Sequence, residues 1–166
     1  MKIGILSDTH NNATNLQRAL ALFRGEGIAT LIHCGDMSSP ATAVHLKGFT
    51  VIYVHGNMDR NPLAIRQTLF QLNPSSVAGN YFSGELIPGV RVAATHGHTP
   101  GKIESFIESG YDYIFHGHTH RRRDEIIDGS RIINPGALGG TQHEPRSICL
   151  INIKTGQTEF REIANW

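Results

Sequence analysis

The sequence predicts an α/β domain built from two β-sheets packed face to face with helices outside. Three observations predict it. The first third alternates short apolar runs with helical spacing, the last third carries two β-hairpins, and no linker, repeat or low-complexity stretch separates them. A β-α-β-α-β start requires a parallel sheet with crossover helices. Two stacked sheets accommodate both that start and a mostly β tail in one domain of residues 1–166.

The elements follow in order. Residues 2–6 form an apolar run with β-branched members that ends at a polar turn, which reads as a buried strand. Residues 14–23 carry Leu16, Ala19, Leu20, Leu22 and Phe23 at helical spacing, and Gly25 and Gly27 end the helix. Residues 30–34 make a second strand, broken by Gly35. Residues 41–46 make a short helix with Ser39 as cap and Pro40 at its first position. Residues 51–55 make a third strand, stopped by Gly56. A helix starts at Asn61-Pro62 and runs through Leu69, and Asn73-Pro74 marks a turn. Residues 81–87 and 90–95 are strands joined at Pro88-Gly89, residues 103–109 are helical, and residues 111–115 are a further strand. Hairpins close through Asp128-Gly129, between 124–127 and 131–133, and through Lys154-Thr155-Gly156, between 147–153 and 157–163.

The bulk numbers exclude several classes. A chain of 166 residues, 39% hydrophobic and 17% charged, can bury a core without disulfide staples. No apolar run reaches membrane-spanning length, and the start MKIGILSDTH is too short in its apolar part for a secretory leader, so a cytoplasmic protein is expected. A formal net charge of +1 gives no general attraction to nucleic acid or anionic membrane. Cys34 and Cys149 sit in apolar surroundings with no CxxC pair, so free buried thiols are expected.

Ten histidines nearly match the 14 acidic residues, and they are grouped. Five strands deliver Asp, Asn or His at their carboxyl ends: Asp8 and His10, Asp36, Asn57 with Asp59, His96 with His98, and His118 with His120. In open α/β sheets that edge is where ligands bind. Carboxylate, imidazole and one amide oxygen suit Mn, Fe or Zn better than Mg or Ca. Seven donors around one central carboxylate suit two cations about 3.5–4 Å apart. Taken singly, Asp-x-His, Gly-Asp and Gly-Asn are common caps and turns; the ordered set is not.

These clusters resemble the calcineurin-like metallophosphoesterase superfamily, whose pattern runs D-x-H, G-D, G-N-x-[DE], H-G-H and G-H-x-H. The short length and Asn134-Pro135-Gly136 resemble its branch of small prokaryotic phosphodiesterases of the YfcE type, which also includes the retromer vacuolar-sorting subunit. The resemblance implies a four-layer αββα sandwich of two mixed sheets. It implies one metal held by Asp8, His10, Asp36 and His120 and a second by Asp36, Asn57, His96 and His118, with Asp36 bridging and a bridging hydroxide attacking phosphorus. Mn is the first expectation, with Fe, Zn or Ni as alternatives.

One position departs from larger members: Met58 stands where they carry His, and a thioether cannot protonate a leaving group. His98 is the candidate substitute acid or phosphate donor. Asn57, His98 and Arg121 are the candidate substrate contacts, although a solvated basic loop is the default reading of Arg121-Arg122-Arg123. Asp59 is left with no imidazole to orient. His33, His55 and His116 read as core or supporting residues, His45 as a helix-surface residue, and His143 as exposed in a Gly/Pro-rich loop of 134–143 that forms part of the site rim. A small-phosphoester hydrolase, probed best as a phosphodiesterase, is the leading expectation. A phosphomonoesterase, a nucleotide pyrophosphohydrolase, a metal-binding scaffold and a nuclease are the alternatives, and a dimer or tetramer stays open.

Overall fold

The computed structural model describes residues 1–163; the last three residues of the expected domain, 164–166, lie outside the described residues. The elements in chain order are β1 (Lys2–Leu6), α1 (Ala13–Gly25), β2 (Thr30–His33), α2 (Pro40–Ala43) with a 3-10 turn (Val44–Leu46), β3 (Thr50–Val54), α3 (Pro62–Leu72), β4 (Val77–Gly79), β5 (Tyr81–Ile87), β6 (Val90–Thr95), α4 (Lys102–Glu108), β7 (Tyr113–Phe115), β8 (Arg122–Ile127), β9 (Ser130–Pro135), β10 (Ser147–Asn152) and β11 (Thr158–Glu162).

Two mixed sheets result. One has the order β11-β10-β1-β2-β3-β4, and the other β5-β6-β7-β9-β8. The strands β1 to β4 are parallel, because α1, α2 and α3 return the chain each time, and the hairpin β10-β11 adds the antiparallel edge. In the second sheet β6, β7 and β9 are parallel, with β5 and β8 antiparallel at the two edges.

Side-chain alternation sorts the core into three slabs. Leu6, Leu31, Val51, Tyr53 and Leu150 point from the first sheet to α1 and α3, where they meet Leu16, Leu20, Phe23, Ile65 and Leu69. Ile3, Ile5, Ile32, Val54 and Cys149 point the other way and meet Val92, Ala94, Phe115 and Ile133 of the second sheet. Ala93, Ile114 and Ile132 leave that sheet's far face and pack on Phe106 of α4. The layers are therefore α, β, β, α, as expected. Strands buried on both faces must read as continuous apolar runs, which is why the sequence shows them so clearly. Gly4 lets α1 lie close on β1, since a Cβ there would stand 2.6 Å from the Phe23 ring.

Several expectations needed correction. The strand β4 has three residues with no buried member and no periodic signal. It forms because the β3 edge offers a parallel partner at Ile52, Tyr53 and Val54. Helix α3 extends to Leu72, beyond the expected Leu69. Ser39 occupies the N-cap position of α2 but makes no capping bond; its hydroxyl donates instead to Asn11 Oδ1 at 2.6 Å. Arg122 and Arg123 are not a loop: they open β8, where Arg122 meets Glu144 and Glu162 and Arg123 meets Glu125. Cys34 and Cys149 are buried free thiols. Among the described residues, no helix is long and apolar enough to cross a membrane.

Candidate metal centre

The carboxyl ends of β1, β2, β3, β6 and β7 face one edge of the sandwich, and their loops are stitched together by main-chain bonds. The N–H of Asp8 donates to Gly35 O at 2.9 Å, that of His10 to Asp36 O at 2.9 Å, and that of Gly117 to His96 O at 3.0 Å. The loop after β9 closes the same edge, with Leu138 N–H on Ser7 O at 3.1 Å and Gly139 N–H on Asp8 O at 2.7 Å.

The backbone here is unusual. Asp8 (φ 52°), His10 (φ 46°), Asp36 (φ 56°), His118 (φ 70°) and His120 (φ 57°) all lie in the left-handed region. Each such non-glycine residue costs on the order of 1 kcal/mol or more. Five of the seven expected ligands thus share a strained backbone conformation.

The side chains converge. Asp8 is fully buried; its Oδ2 accepts from the Ser7 hydroxyl at 2.6 Å and from His118 N–H at 3.1 Å. Its Oδ1 is buried and, among the described residues, has no hydrogen-bond donor. Around that oxygen stand His120 Nε2 at 3.2 Å, His10 Nε2 at 3.8 Å and His96 Nε2 at 4.0 Å. Asp36 Oδ2 lies 3.3 Å from His96 Nε2 and 3.6 Å from His10 Nε2, between the two rings. Its Oδ1 accepts from Met58 N–H at 2.8 Å. Asn57 Oδ1 is 3.2 Å from His96 Nε2. Two sets of donors lie within 4.8 Å of one another, Asp8 with His10 and His120, and Asp8 with Asp36 and His96.

The ring tautomers follow from their outer partners. His96 Nδ1 is 2.7 Å from Cys34 O and His120 Nδ1 is 2.7 Å from Thr141 O. A carbonyl can only accept, so both Nδ1 atoms carry a proton, and both Nε2 atoms face the carboxylates. That is the arrangement in which imidazoles bind metals. Two carboxylates crowded together repel, and a cation held between them and the ring nitrogens resolves the conflict. The donor set and the unpartnered Asp8 Oδ1 therefore fit a divalent metal.

The carboxylates draw positive charge to this edge. Burial alone would lower His96, but Asp36 and Asp8 outweigh it and raise its pKa; Asp8 raises His120 against burial. Burial lowers His10 and His118. Asp36 is lowered, because His96, Met58 N–H and His10 overcome its burial.

His118 is not gathered with the others. Its exposed ring stands edge-on to His96, with centroids 5.1 Å apart, and joins neither donor set. His98 is exposed, with its ring 5.3 Å from His96. Arg121 is exposed next to the His120 loop. His143 is exposed as expected, yet its ring lies 6.1 Å from that of His120. His33 and His116 are buried supports. His33 accepts Gly35 N–H on Nδ1 and meets Thr9 Oγ1 at 2.8 Å with Nε2. His116 Nδ1 is 3.1 Å from Gly117 O.

Asp59 has no imidazole to orient, as expected, but it has three other partners. It accepts from Ser38 N–H and Gly56 N–H, each at 2.7 Å, and from the Tyr53 hydroxyl, so it ties the β2 loop to the β3 loop. Sequence reading also missed Ser7 and Arg146. Ser7 immediately precedes a strand-end Asp, which is too common to mark it. Arg146 is a lone cation in front of the apolar run of β10, and that is its only signal.

The chain is similar to known proteins over nearly its whole length. The model of the calcineurin-like phosphoesterase superfamily domain matches residues 1–156. A phosphodiesterase of Methanocaldococcus jannaschii is 34% identical over 166 residues, covering 98% of each chain. A solved archaeal phosphodiesterase is similar with TM-score 0.92 and 32% identity, over 98% of this chain and 99% of that one. The phosphoesterase YfcE of E. coli shares the fold, with TM-score 0.70 and 21% identity over 99% of this chain and 100% of that one. With its sandwich, its strand-end donors and these full-length matches, the chain belongs to the calcineurin-like phosphoesterase superfamily and is a hydrolase of phosphoric esters.

Proposed function

We propose that this chain, as one domain of residues 1–166, hydrolyses phosphodiester bonds with two divalent cations, Mn first among them. Asp8, His10, Asp36 and His120 would hold one cation, and Asp36, Asn57, His96 and His118 the other. The observation that carries this reading is Asp8 Oδ1, buried without a donor and faced by three imidazole nitrogens. The position of Asp36 Oδ2 between His10 and His96 supports its role as the shared carboxylate. When bound, such cations would supply Lewis acidity to a phosphoester and make water acidic enough to serve as the nucleophile.

The chain's own part is orientation and proton management. Cys34 O and Thr141 O hold His96 and His120 with Nε2 inward. His118 would reach its cation by rotating its exposed ring. Met58 cannot protonate a leaving group: its side chain is a thioether, 48% exposed, and its N–H is taken by Asp36. His98 and Arg121, both exposed beside ligand residues, would contact the non-bridging oxygens, and His98 would supply the leaving-group proton.

The test compares hydrolysis of bis-p-nitrophenyl phosphate and p-nitrophenyl phosphate by metal-stripped protein to which Mn, Fe, Zn or Ni is returned. The diester is expected to be the better substrate with Mn. A strong preference for the monoester would sink the diesterase reading.

A further inference from the structure

The residue that demands an account is Arg146. It is 9% exposed, and among the described residues it makes no ion pair. Its Nη1 donates to Gly139 O at 2.5 Å and its Nη2 to Gly140 O at 2.7 Å. A buried cation with only neutral partners is costly to desolvate. Apolar filling would be cheaper if the position served packing alone.

What the guanidinium holds is the loop 138–141, and that loop touches a restricted part of the site. Gly139 N–H donates to Asp8 O at 2.7 Å. Gly140 packs so close that a Cβ would stand 2.5 Å from His10 Cδ2 and 2.7 Å from His120 Cε1. Thr141 O accepts the Nδ1 proton of His120 at 2.7 Å. The loop thus contacts Asp8, His10 and His120, while the outer partner of His96 is Cys34 O on a different loop. Gly140 also sits at φ 64°, so the loop has no regular ladder to keep its carbonyls in place.

We propose that Arg146 is a positioning residue that fixes loop 138–141 and so sets the affinity of one metal, the one gathered by Asp8, His10 and His120, without setting that of the other. The inference rests on the two-cation reading above, but not on the identity of the substrate. A planar fork reaches two adjacent carbonyls at once; an ammonium reaches one well.

The test is titration of metal-free protein with Co(II), followed by visible absorption, in wild type, Arg146→Met and Arg146→Lys. His120→Ala serves as the reference that identifies which transition belongs to which cation. Folding is checked by circular dichroism. In Arg146→Met the transition that His120→Ala removes is expected to weaken about 10- to 100-fold, the range for an outer partner of a metal ligand. The other transition is expected to stay as in wild type, and Arg146→Lys to fall between. Equal weakening of both transitions, or of neither, in a folded variant overturns the proposal. If Arg146→Met does not fold, the same criterion is applied to Arg146→Lys. Wild type that binds no Co(II) would remove the two-cation reading itself. Selective weakening in a protein that cleaves no diester would leave this inference standing and overturn the diesterase proposal.

Discussion

At the scale of single residues, the site is a balance of opposed charges held by outer partners. Asp36 has one oxygen on Met58 N–H and the other between His10 and His96. Asp36→Ala is expected to abolish hydrolysis and the binding of both cations, because in the proposed assignment Asp36 is the donor shared by the two. Elemental analysis of the purified variant checks this, and retention of two equivalents would refute the bridging role. The supports titrate in a readable way. His33 and His116 are each pushed down to about 4, first by burial. His33 uses Nδ1 to accept Gly35 N–H, and Arg123 Nη1 lies 3.4 Å from His116 Nε2, so protonation would break one bond and set a cation against another. An unfolded histidine titrates near 6.5. Between that value and about 4 the unfolded chain binds the extra protons, so stability falls as pH drops through this window. The slope is at most about 1.4 kcal/mol per pH unit for each ring. Ring NMR resonances of metal-free protein should stay at their neutral positions down to pH 5; protonation of either ring near pH 6.5 would contradict the assignment.

At the scale of elements, the strands deliver donors and the glycines let the delivering loops touch. Gly117 follows β7 and lies against the β1 loop, where a Cβ would meet Ser7 Oγ at 1.9 Å and Asp8 Oδ2 at 2.6 Å. Those two atoms are bonded to each other, and neither can retreat without freeing Asp8. Gly117→Ala should cost about 1–3 kcal/mol of stability, as overpacking does. That is a fall of roughly 5 °C in Tm for a domain of this size. It should also weaken metal binding. Thermal unfolding and a metal titration check it, and wild-type behaviour in both would show that the loops can separate freely. The strand β8 teaches the converse. Its Arg122 and Arg123 looked like a basic loop in sequence, yet Arg122 pairs with Glu144 and Glu162 from later in the chain, and Arg123 with Glu125 two residues along the same strand face. Pairing across elements cannot be read from a charge run.

At the scale of the molecule, the stacking of the two sheets puts the β1–β3 loops and the β6–β7 loops on one edge. Phe115 is fully buried in the slab between the sheets, two positions before Gly117 and its close approach to Asp8. Phe115→Ala is expected to cost about 3–5 kcal/mol. Urea unfolding measures it, and a loss below about 1 kcal/mol would argue against the slab as the principal core.

The linear chain marks most of the strands and the chemistry at their ends. Continuous apolar runs mark strands buried on both faces, Gly and Pro mark where they stop, and the residues at the stops are Asp, Asn and His. These are local signals, and the expected boundaries of β5 and β6 match the observed ones residue for residue. Only the folded chain decides which donors meet. Whether His118 turns in or out depends on side-chain rotation, not on spacing. The partners of Asp59 come from two loops, β4 exists because an edge lay open, and Arg146 acts on His120 through a loop that the β9–β10 connection brings back to β1. The near meeting of His10 and His120, whose Nε2 atoms lie 3.3 Å apart though 110 residues separate them, needs both sheets in place. Contacts at that separation arise from packing, and packing energy belongs to the whole chain rather than to any window of it.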